Sequence, residues 1–377
     1  MFKRKSWLLL CFICMGSLFV TACAPAKIDS PNDFDTLPDD NDNDVTPETT
    51  DSDSKKEETD PPAPKKSIDI YIIAGQSNGA GYTVYDADVL GELWSDYKTG
   101  SKNVIYNGKA EYTNDVNTPN VSTGVNEIRN WMPVVAGQGI SYDHMGAEVG
   151  MAKVLSEQYY KYDAATGENR MAGIIKFAHG GTSLLDNTNG ENAANGNWVS
   201  PSYAAYKGIS HTGLTGGLYR DLLAQVKSSK NKLQSQGYND INIKGVFWMQ
   251  GESDRENPDE YEIAFKHFVS DLRFDLGKIM GEDLSDLAFM IGEISETSGS
   301  AYADTVAINQ TFIAKQREMA EEMDNVYVIA SGKYHINWLE NGVNKTGQDG
   351  WHWTTEDMFN IGTEVGECIL SNILKSK

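Results

Sequence analysis

A serine near the start of the predicted folded region has the surroundings of a nucleophile. Ser77 lies in residues 75–79, Gly-Gln-Ser-Asn-Gly, directly after an apolar run. At a turn between a strand and a helix, a serine can project its hydroxyl while backbone N–H groups point towards the same space. A serine in such a turn more often only shapes the turn. Ser77 therefore needs a base elsewhere in the sequence before it can be read as catalytic.

Residues 349–354, Asp-Gly-Trp-His-Trp-Thr, offer that base. Asp349 precedes His352 by three residues in a glycine-containing loop. This spacing can place the carboxylate on Nδ1 of the imidazole and leave Nε2 free to take a proton from serine. Such a base contributes about 10² to 10⁴ in rate, although His352 could instead pack between its tryptophan neighbours. An equally close carboxylate in a comparable turn is missing at His144, His211, His267 and His335.

Two further motifs offer hydrogen-bond donors. They are residues 179–184, His-Gly-Gly-Thr-Ser-Leu, and residues 248–254, Trp-Met-Gln-Gly-Glu-Ser-Asp. Acyl transfer builds negative charge on the carbonyl oxygen, which the backbone N–H groups of Gly180 and Gly181 and the amide of Gln250 could stabilise. Each motif alone is a weak signal, because glycines also form ordinary turns.

Taken in order, the four motifs resemble those of the SGNH hydrolase superfamily, specifically its sialate O-acetylesterase and carbohydrate esterase family six branch. The resemblance covers roughly residues 67–377. It implies an α/β fold, a three-layer α/β/α sandwich with a parallel sheet of roughly five strands. It also implies a triad of Ser77, His352 and Asp349, with no cofactor and no metal. Ser77, Gly180 or Gly181, and Gln250 would then form the oxyanion hole.

The chain departs from the wider superfamily in the third motif. Most members of the superfamily have asparagine at this place, whereas this chain has Gln250 and the acetylesterase branch likewise has glutamine. The longer side chain must therefore reach the oxyanion from further back. Glu252 follows two residues later. It is a candidate second support for His352.

The remaining sequence predicts the elements that position these motifs. Apolar runs predict strands at residues 68–74, 173–178, 243–249, 287–291 and 326–330. Helical periodicity predicts helices at residues 147–160, 218–236, 259–280, 305–323 and 355–374. Such alternation favours a parallel sheet covered on both faces, which binds ligands at the carboxyl ends of its strands. The long segments 82–134 and 186–215 are predicted to be loops that build a binding site.

Those loops contain candidate substrate contacts. Aromatic side chains that could stack on a sugar ring are Trp131, Trp198, Tyr203 and Tyr206. A sialic acid carboxylate would need an arginine, for which the candidates are Arg129, Arg220 and Arg255. Acetylated xylan and acetylated sialic acid both fit the motifs. The alternative function is a non-catalytic glycan-binding surface lipoprotein, which would have no need of a complete triad.

The amino-terminal residues predict export. Three basic residues precede an apolar run at residues 7–20, as in a signal peptide, and residues 20–23, Val-Thr-Ala-Cys, resemble the bacterial lipoprotein box. We expect residues 1–22 to be a signal peptide and Cys23 to carry a lipid that anchors the protein in the cell envelope, with ordinary secretion as the alternative. Residues 24–66 contain 13 acidic and 5 basic residues and few large apolar ones, which predicts a disordered linker.

The net charge limits the possible partners of the protein, and the cysteine content limits its possible disulfides. The formal net charge of −22 argues against nucleic acid as a partner, because phosphate binding depends on clustered lysine and arginine. Cys368 alone among the four cysteines falls in the predicted folded domain, which excludes an intrachain disulfide there. The expected partner is acetylated carbohydrate, membrane contact is expected only through the lipid anchor, and the sequence does not predict an oligomeric state.

Overall fold

A central sheet organises the part of the chain that the structure describes. This computed structural model describes residues 66–108, 131–164, 167–186, 196–299, 304–334, 336, 339–340, 343–344 and 349–374. The chain divides into two units, Met1–Pro61 and Pro62–Lys377, and all described residues lie in the second. The predicted signal peptide, Cys23 and all but the last residue of the predicted linker lie outside the described residues.

The strands and helices follow in chain order. The described strands are β1 (Ser67–Gly75), β2 (Thr83–Val84), β3 (Val104–Gly108), β4 (Met132–Pro133), β5 (His144–Met145), β6 (Tyr162–Asp163), β7 (Glu168–Asn169), β8 (Ala172–Ala178), β9 (Asp240–Met249), β10 (Ala288–Gly292), β11 (Val326–Ile329), β12 (Leu339–Glu340) and β13 (Val343–Asn344). The described α-helices are α1 (Ser77–Ala80), α2 (Ala87–Leu93), α3 (Glu148–Gln158), α4 (Pro201–Lys207), α5 (Gly217–Ser235), α6 (Pro258–Met280), α7 (Thr305–Glu322) and α8 (Thr355–Cys368). A 3₁₀ turn at Ser331–Lys333 follows β11, and α8 continues into a π-helical turn at Ile369–Ile373.

The main sheet contains seven strands in the order β11-β10-β9-β1-β8-β3-β4. Neighbours pair in parallel except β3 and β4, which are antiparallel. The predicted parallel α/β sheet is therefore confirmed, but the expected count of roughly five strands is wrong. The two additional strands fall in the predicted loop 82–134. Their signal is weak because β4 has two residues and β3 ends in Asn-Gly, and pairing with β8 stabilises β3.

The predicted strands and helices are all present, with small shifts at their ends. The predicted loop 82–134 contains the unpredicted helix α2, and the predicted loop 186–215 contains the unpredicted helix α4. The sequence carried a signal for α4, because Pro201 occupies the first helical turn and Gly208 ends the helix in the left-handed region at φ 68°.

Helices cover both faces of the main sheet. Side chains alternate along β1, so that Ile70 and Ile72 face one core while Tyr71 and Ile73 face the other. The first core is closed by α5, α6 and α7, and the second by α2, α3 and α8. The three-layer sandwich is therefore confirmed. Within the described residues, no helix combines the length and apolar character needed to cross a membrane.

The carboxyl end of β1 lies between those of β8 and β9, where the chain switches from one side of the sheet to the other. Such a switch point opens a crevice at the strand ends. Gly75, at the end of β1, has φ +136°, and a Cβ there would lie 2.1 Å from the carbonyl oxygen of Met249. A glycine is therefore required where β1 approaches β9, one residue before the turn that carries Ser77.

Candidate active site

A pocket of about 400 Å³ lies at the carboxyl ends of β1, β8 and β9. It is lined by Gln76, Ser77, Tyr82, Gly180, Gly181, Glu252, Ser253, Trp351 and His352. The structure thus brings Ser77 and His352 together in one cavity, although they come from opposite ends of the described chain. This juxtaposition is the one that acyl transfer by a serine and a histidine requires.

Ser77 begins the short helix α1 and is partly exposed to the pocket. The residue before it, Gln76, ties this turn to the loop after β9. Its backbone N–H donates to Met249 O at 2.9 Å, and its Oε1 accepts from the N–H groups of Gly251 at 3.4 Å and Ser253 at 3.3 Å. Sequence reasoning assigned no role to Gln76, whose side chain connects two loops distant in sequence.

Asp349 organises the turn that carries His352. Its Oδ1 accepts from the backbone N–H groups of Trp351 at 2.9 Å and His352 at 3.1 Å, and its Oδ2 lies 2.5 Å from Nδ1 of His352. Partial burial acts to raise the pKa of Asp349, but the hydrogen bond from His352, the charge of His352 and the two backbone N–H groups together outweigh it, and the pKa lies below its usual value. An ionised carboxylate on Nδ1 keeps the proton there, so Nε2 is available as a base.

Tyr82 holds the imidazole from its flat side. The Tyr82 and His352 rings stack with centroids 4.8 Å apart and an interplanar angle of 27°. Tyr82 directly follows Gly81, which ends α1 in the left-handed region at φ 90°. Sequence reasoning placed Tyr82 only at the start of a long loop, and no local signal indicates its partner.

Glu252 lies on the pocket wall and is partly buried. Asn78 donates from Nδ2 to Glu252 Oε1 at 2.8 Å and to the carbonyl oxygen of Trp351 at 3.3 Å. Burial raises the pKa of Glu252, while the Asn78 hydrogen bond and the charge of His352 oppose the rise. Glu252 is therefore close enough to interact electrostatically with His352, but the carboxylate in contact with the imidazole is that of Asp349.

The predicted oxyanion donors separate into two groups. Gly180 and Gly181 line the pocket at the end of β8. Gln250 does not, because its Nε2 donates to Thr182 O at 3.1 Å and to Asp254 Oδ2 at 2.6 Å. Both amide hydrogens are thereby used behind the pocket wall. The Gln250 amide thus lies behind the pocket wall, and its role as an oxyanion donor stays a prediction.

The predicted sugar-stacking aromatics are mostly core residues. Trp131, Trp198 and Tyr203 are buried, and Trp198 packs edge-on against the ring of Trp248 with centroids 5.1 Å apart. Tyr206 is exposed but does not line the pocket. The expectation is wrong for the three buried rings, because the loops fold over the sheet and form part of its core.

Of the two arginine candidates in the described part of the chain, Arg255 is the one beside the pocket. Its guanidinium lies 5.2 Å from the ring centre of Trp351. Arg220 instead donates to the backbone carbonyls of residues 211, 213 and 215. Arg129 lies outside the described residues.

His144 has a close carboxylate, contrary to expectation. Its Nδ1 lies 2.6 Å from Asp143 Oδ1 and 2.5 Å from Ser141 Oγ. Because serine and carboxylate meet the same ring nitrogen, this cluster cannot work as a triad, in which they bind opposite nitrogens. His335 lies outside the described residues. In the described part of the chain, no group of three or more His, Cys, Asp or Glu side chains is arranged to hold a metal ion.

Comparison with known proteins identifies the family. Residues 67–371 match the family described as carbohydrate esterase, sialic acid-specific acetylesterase. The chain belongs to this family. As a family member it is a carboxylic ester hydrolase with carbohydrate O-acetylesterase function, as predicted, and the alternative of a non-catalytic glycan-binding protein is not favoured.

Solved structures similar to this family member share its fold. The crystal structure of NanS is 17% identical with a TM-score of 0.52, over 81% of this chain and 97% of that chain. A carbohydrate acetylesterase from Xanthomonas citri is 14% identical with a TM-score of 0.50, over 82% of this chain and 57% of that chain. No curated protein sequence matches the chain.

Proposed function

We propose that this esterase removes O-acetyl groups from sugars through an acetyl-enzyme intermediate on Ser77. The supporting observation is that Ser77 and His352 line one pocket, while Asp349 contacts Nδ1 of the imidazole. A nucleophile, a base and a group that orients the base are the three parts of this mechanism.

In the first step, Ser77 Oγ attacks the acetyl carbonyl carbon while Nε2 of His352 takes the hydroxyl proton. Asp349 stabilises the resulting imidazolium through its contact with Nδ1. The backbone N–H of Ser77 and that of Gly180 or Gly181 bind the oxyanion. The carbon–oxygen bond to the sugar then breaks, and His352 returns the proton to the departing sugar oxygen.

In the second step, water replaces the sugar in the pocket. Nε2 of His352 takes a proton from this water, whose oxygen attacks the acetyl-serine carbonyl. The bond to Ser77 Oγ breaks, and the serine recovers its proton from the imidazole as acetate leaves. A cavity of about 400 Å³ is within the usual range for a small-molecule site.

We further propose that the preferred sugar carries a carboxylate, as sialic acid does. Arg170, Arg220, Arg273 and Arg317 each donate hydrogen bonds to carboxylate or carbonyl oxygens. Arg255, next to the pocket, donates none to the described residues, and its Nη1 is buried without a hydrogen-bond partner. A guanidinium binds a carboxylate through paired hydrogen bonds. The family description, which names sialic acid, supports this preference over acetylated xylan.

We also propose that the mature protein is anchored in the cell envelope through Cys23. The support is the basic and apolar leader followed by Val-Thr-Ala-Cys at residues 20–23. Cys23→Ser should move the protein from the membrane fraction to the soluble fraction of the producing bacterium. Unchanged membrane association of this variant would contradict the lipid anchor.

The decisive experiment measures acetate release from O-acetylated sialic acid and acetylated xylan by the wild type and by Ser77→Ala. We expect the variant to lose about 10³-fold or more of the activity. A fluorophosphonate should label the wild type at Ser77, which mass spectrometry of peptides detects whatever the substrate. Ser77→Ala that keeps its activity would contradict the mechanism. Cleavage of longer acyl esters without acetate release would contradict the acetyl assignment alone.

Arg255→Met tests the substrate preference separately. It should raise KM for acetylated sialic acid about tenfold or more and leave KM for a neutral acetyl ester nearly unchanged, since one charge-assisted pair is lost. An equal effect on both substrates would contradict recognition of the carboxylate.

A further inference from the structure

Two buried polar side chains lie behind the pocket and do not line it. Gln250 and Asp254, both in the loop after β9, are 1% and 2% exposed. Buried polar groups are costly unless they are hydrogen-bonded, so their partners indicate their role. Gln250 Nε2 donates to Thr182 O at 3.1 Å and to Asp254 Oδ2 at 2.6 Å.

Asp254 completes the connection to the loop after β8. Its Oδ1 accepts a short hydrogen bond from Ser183 Oγ, and its Oδ2 accepts from the N–H of Leu184 at 2.8 Å. Three consecutive residues, 182–184, are thus held by two side chains of the neighbouring loop. They directly follow Gly181, which lines the pocket.

The glycine pair is therefore held on both sides. Before it, the backbone N–H of His179 donates to Gly75 O at 3.0 Å, which joins the ends of β8 and β1. After it, Gln250 and Asp254 hold residues 182–184. To donate to an oxyanion, Gln250 Nε2 would have to give up its hydrogen bond to Thr182 O or the one to the Asp254 carboxylate. The bond to Asp254 is the harder one to give up, because hydrogen bonds to an ionised acceptor are the stronger kind.

We propose that Gln250 and Asp254 are positioning residues that hold Gly180 and Gly181 in the geometry for oxyanion binding and do not themselves touch the substrate. This inference rests on the proposed function, because the glycine loop has this role only in acyl transfer. The two side chains act as one unit through a shared hydrogen bond. Loss of either should therefore have nearly the effect of losing both.

The test uses the full chain, with 4-nitrophenyl acetate as substrate. Gln250→Met and Asp254→Asn should each lower kcat about 10- to 10²-fold, with KM changed less than about threefold, since misplaced donors weaken the transition state more than substrate binding. The kcat of the double variant should be no more than about threefold below that of the less active single variant. A boronic acid, which places an oxyanion mimic on Ser77, should bind each variant more weakly by a factor similar to the loss in kcat.

The matched control is Gln225→Met. Gln225 is also buried, and its Nε2 also donates to a backbone carbonyl, that of Lys176 at 3.1 Å, but it does not line the pocket. This variant should lower stability and leave kcat within about twofold. Equal losses of kcat in the control would reduce the effect to general destabilisation and overturn the proposal.

A direct oxyanion donor predicts a different pattern. Gln250→Met would then cost about 10² to 10³ in kcat while Asp254→Asn costs little, or the two losses would multiply in the double variant. Either result overturns the proposal. If Asp254→Asn does not fold, Ser183→Ala removes the other end of the same contact and should lower kcat as well. A wild type without Ser77-dependent hydrolysis would instead contradict the proposed function.

Discussion

Replacing Asp349 by asparagine isolates the contact between carboxylate and imidazole. Asp349 makes two kinds of hydrogen bond, through Oδ1 to the backbone N–H groups of Trp351 and His352 and through Oδ2 to Nδ1 of His352. Asparagine keeps one oxygen for the backbone groups, so the turn should persist. Its amide nitrogen would face Nδ1, which favours the imidazole tautomer with the proton on Nε2 and so lowers the fraction of His352 that can act as a base.

The size of the loss follows from this contact. A hydrogen bond to a charged group contributes about 1.5–3 kcal/mol, and about 1.4 kcal/mol corresponds to a tenfold change in rate. Asp349→Asn should therefore lower kcat/KM about 10- to 150-fold. Because the Asp349 side chain is 55% exposed, water weakens its charge interaction, and we expect a loss towards the lower end of this range.

Glu252→Gln provides the comparison. Glutamine keeps an oxygen for the Asn78 hydrogen bond and removes a carboxylate that approaches His352 without contacting Nδ1. We expect a loss below about tenfold, since only a charge interaction through space is removed. The assay is the pH-dependent hydrolysis of 4-nitrophenyl acetate by both variants and by Ser77→Ala. A larger loss in Glu252→Gln than in Asp349→Asn would refute Asp349 as the main support of the base.

Three further predictions concern the buried residues. Trp198→Ala should lower the free energy of unfolding in urea by about 3–5 kcal/mol and leave KM for acetylated sugars unchanged in the folded protein. Unchanged stability together with a raised KM would instead support stacking of Trp198 on the sugar. Burial raises the pKa of Asp254 to about 6, so the folded protein retains a proton that the unfolded chain loses at lower pH. The free energy of unfolding should therefore fall by up to about 3 kcal/mol between pH about 4 and about 6, and Asp254→Asn should lack this decrease; parallel pH profiles of the two proteins would contradict it. Lys176 and Glu148 form a fully buried ion pair with Nζ and Oε1 3.0 Å apart. Lys176→Met should lower the free energy of unfolding by about 3–5 kcal/mol, because it leaves the buried Glu148 charge unpaired. The double variant Lys176→Met with Glu148→Leu should recover much of this loss in thermal unfolding. No recovery would show that another contact of Lys176 dominates.

Local patterns in the sequence predict the parts of this protein that depend on near neighbours. The apolar runs predict β1, β8, β9, β10 and β11, because strands buried on both faces are apolar throughout. The contact between Asp349 and His352 is equally local, since three residues of a single turn bring the carboxylate to Nδ1. The strand-end motifs also predict that Ser77 and His352 meet, because parallel strands end at the same edge of the sheet.

Tertiary packing decides those features in which a side chain has more than one possible partner. The Gln250 amide can reach an oxyanion from its place in the motif, but Thr182 and Asp254 take both of its hydrogens once the two loops fold together. Tyr82 stacks on His352 only because both loops end at the same crevice. Trp198 is in the core for the same reason, since its loop folds back over the sheet. Hydrophobic periodicity and short-range hydrogen bonds depend on neighbouring residues and can be predicted from the sequence. Which acceptor a donor binds, or which ring is buried in the core, depends on residues that are distant in sequence.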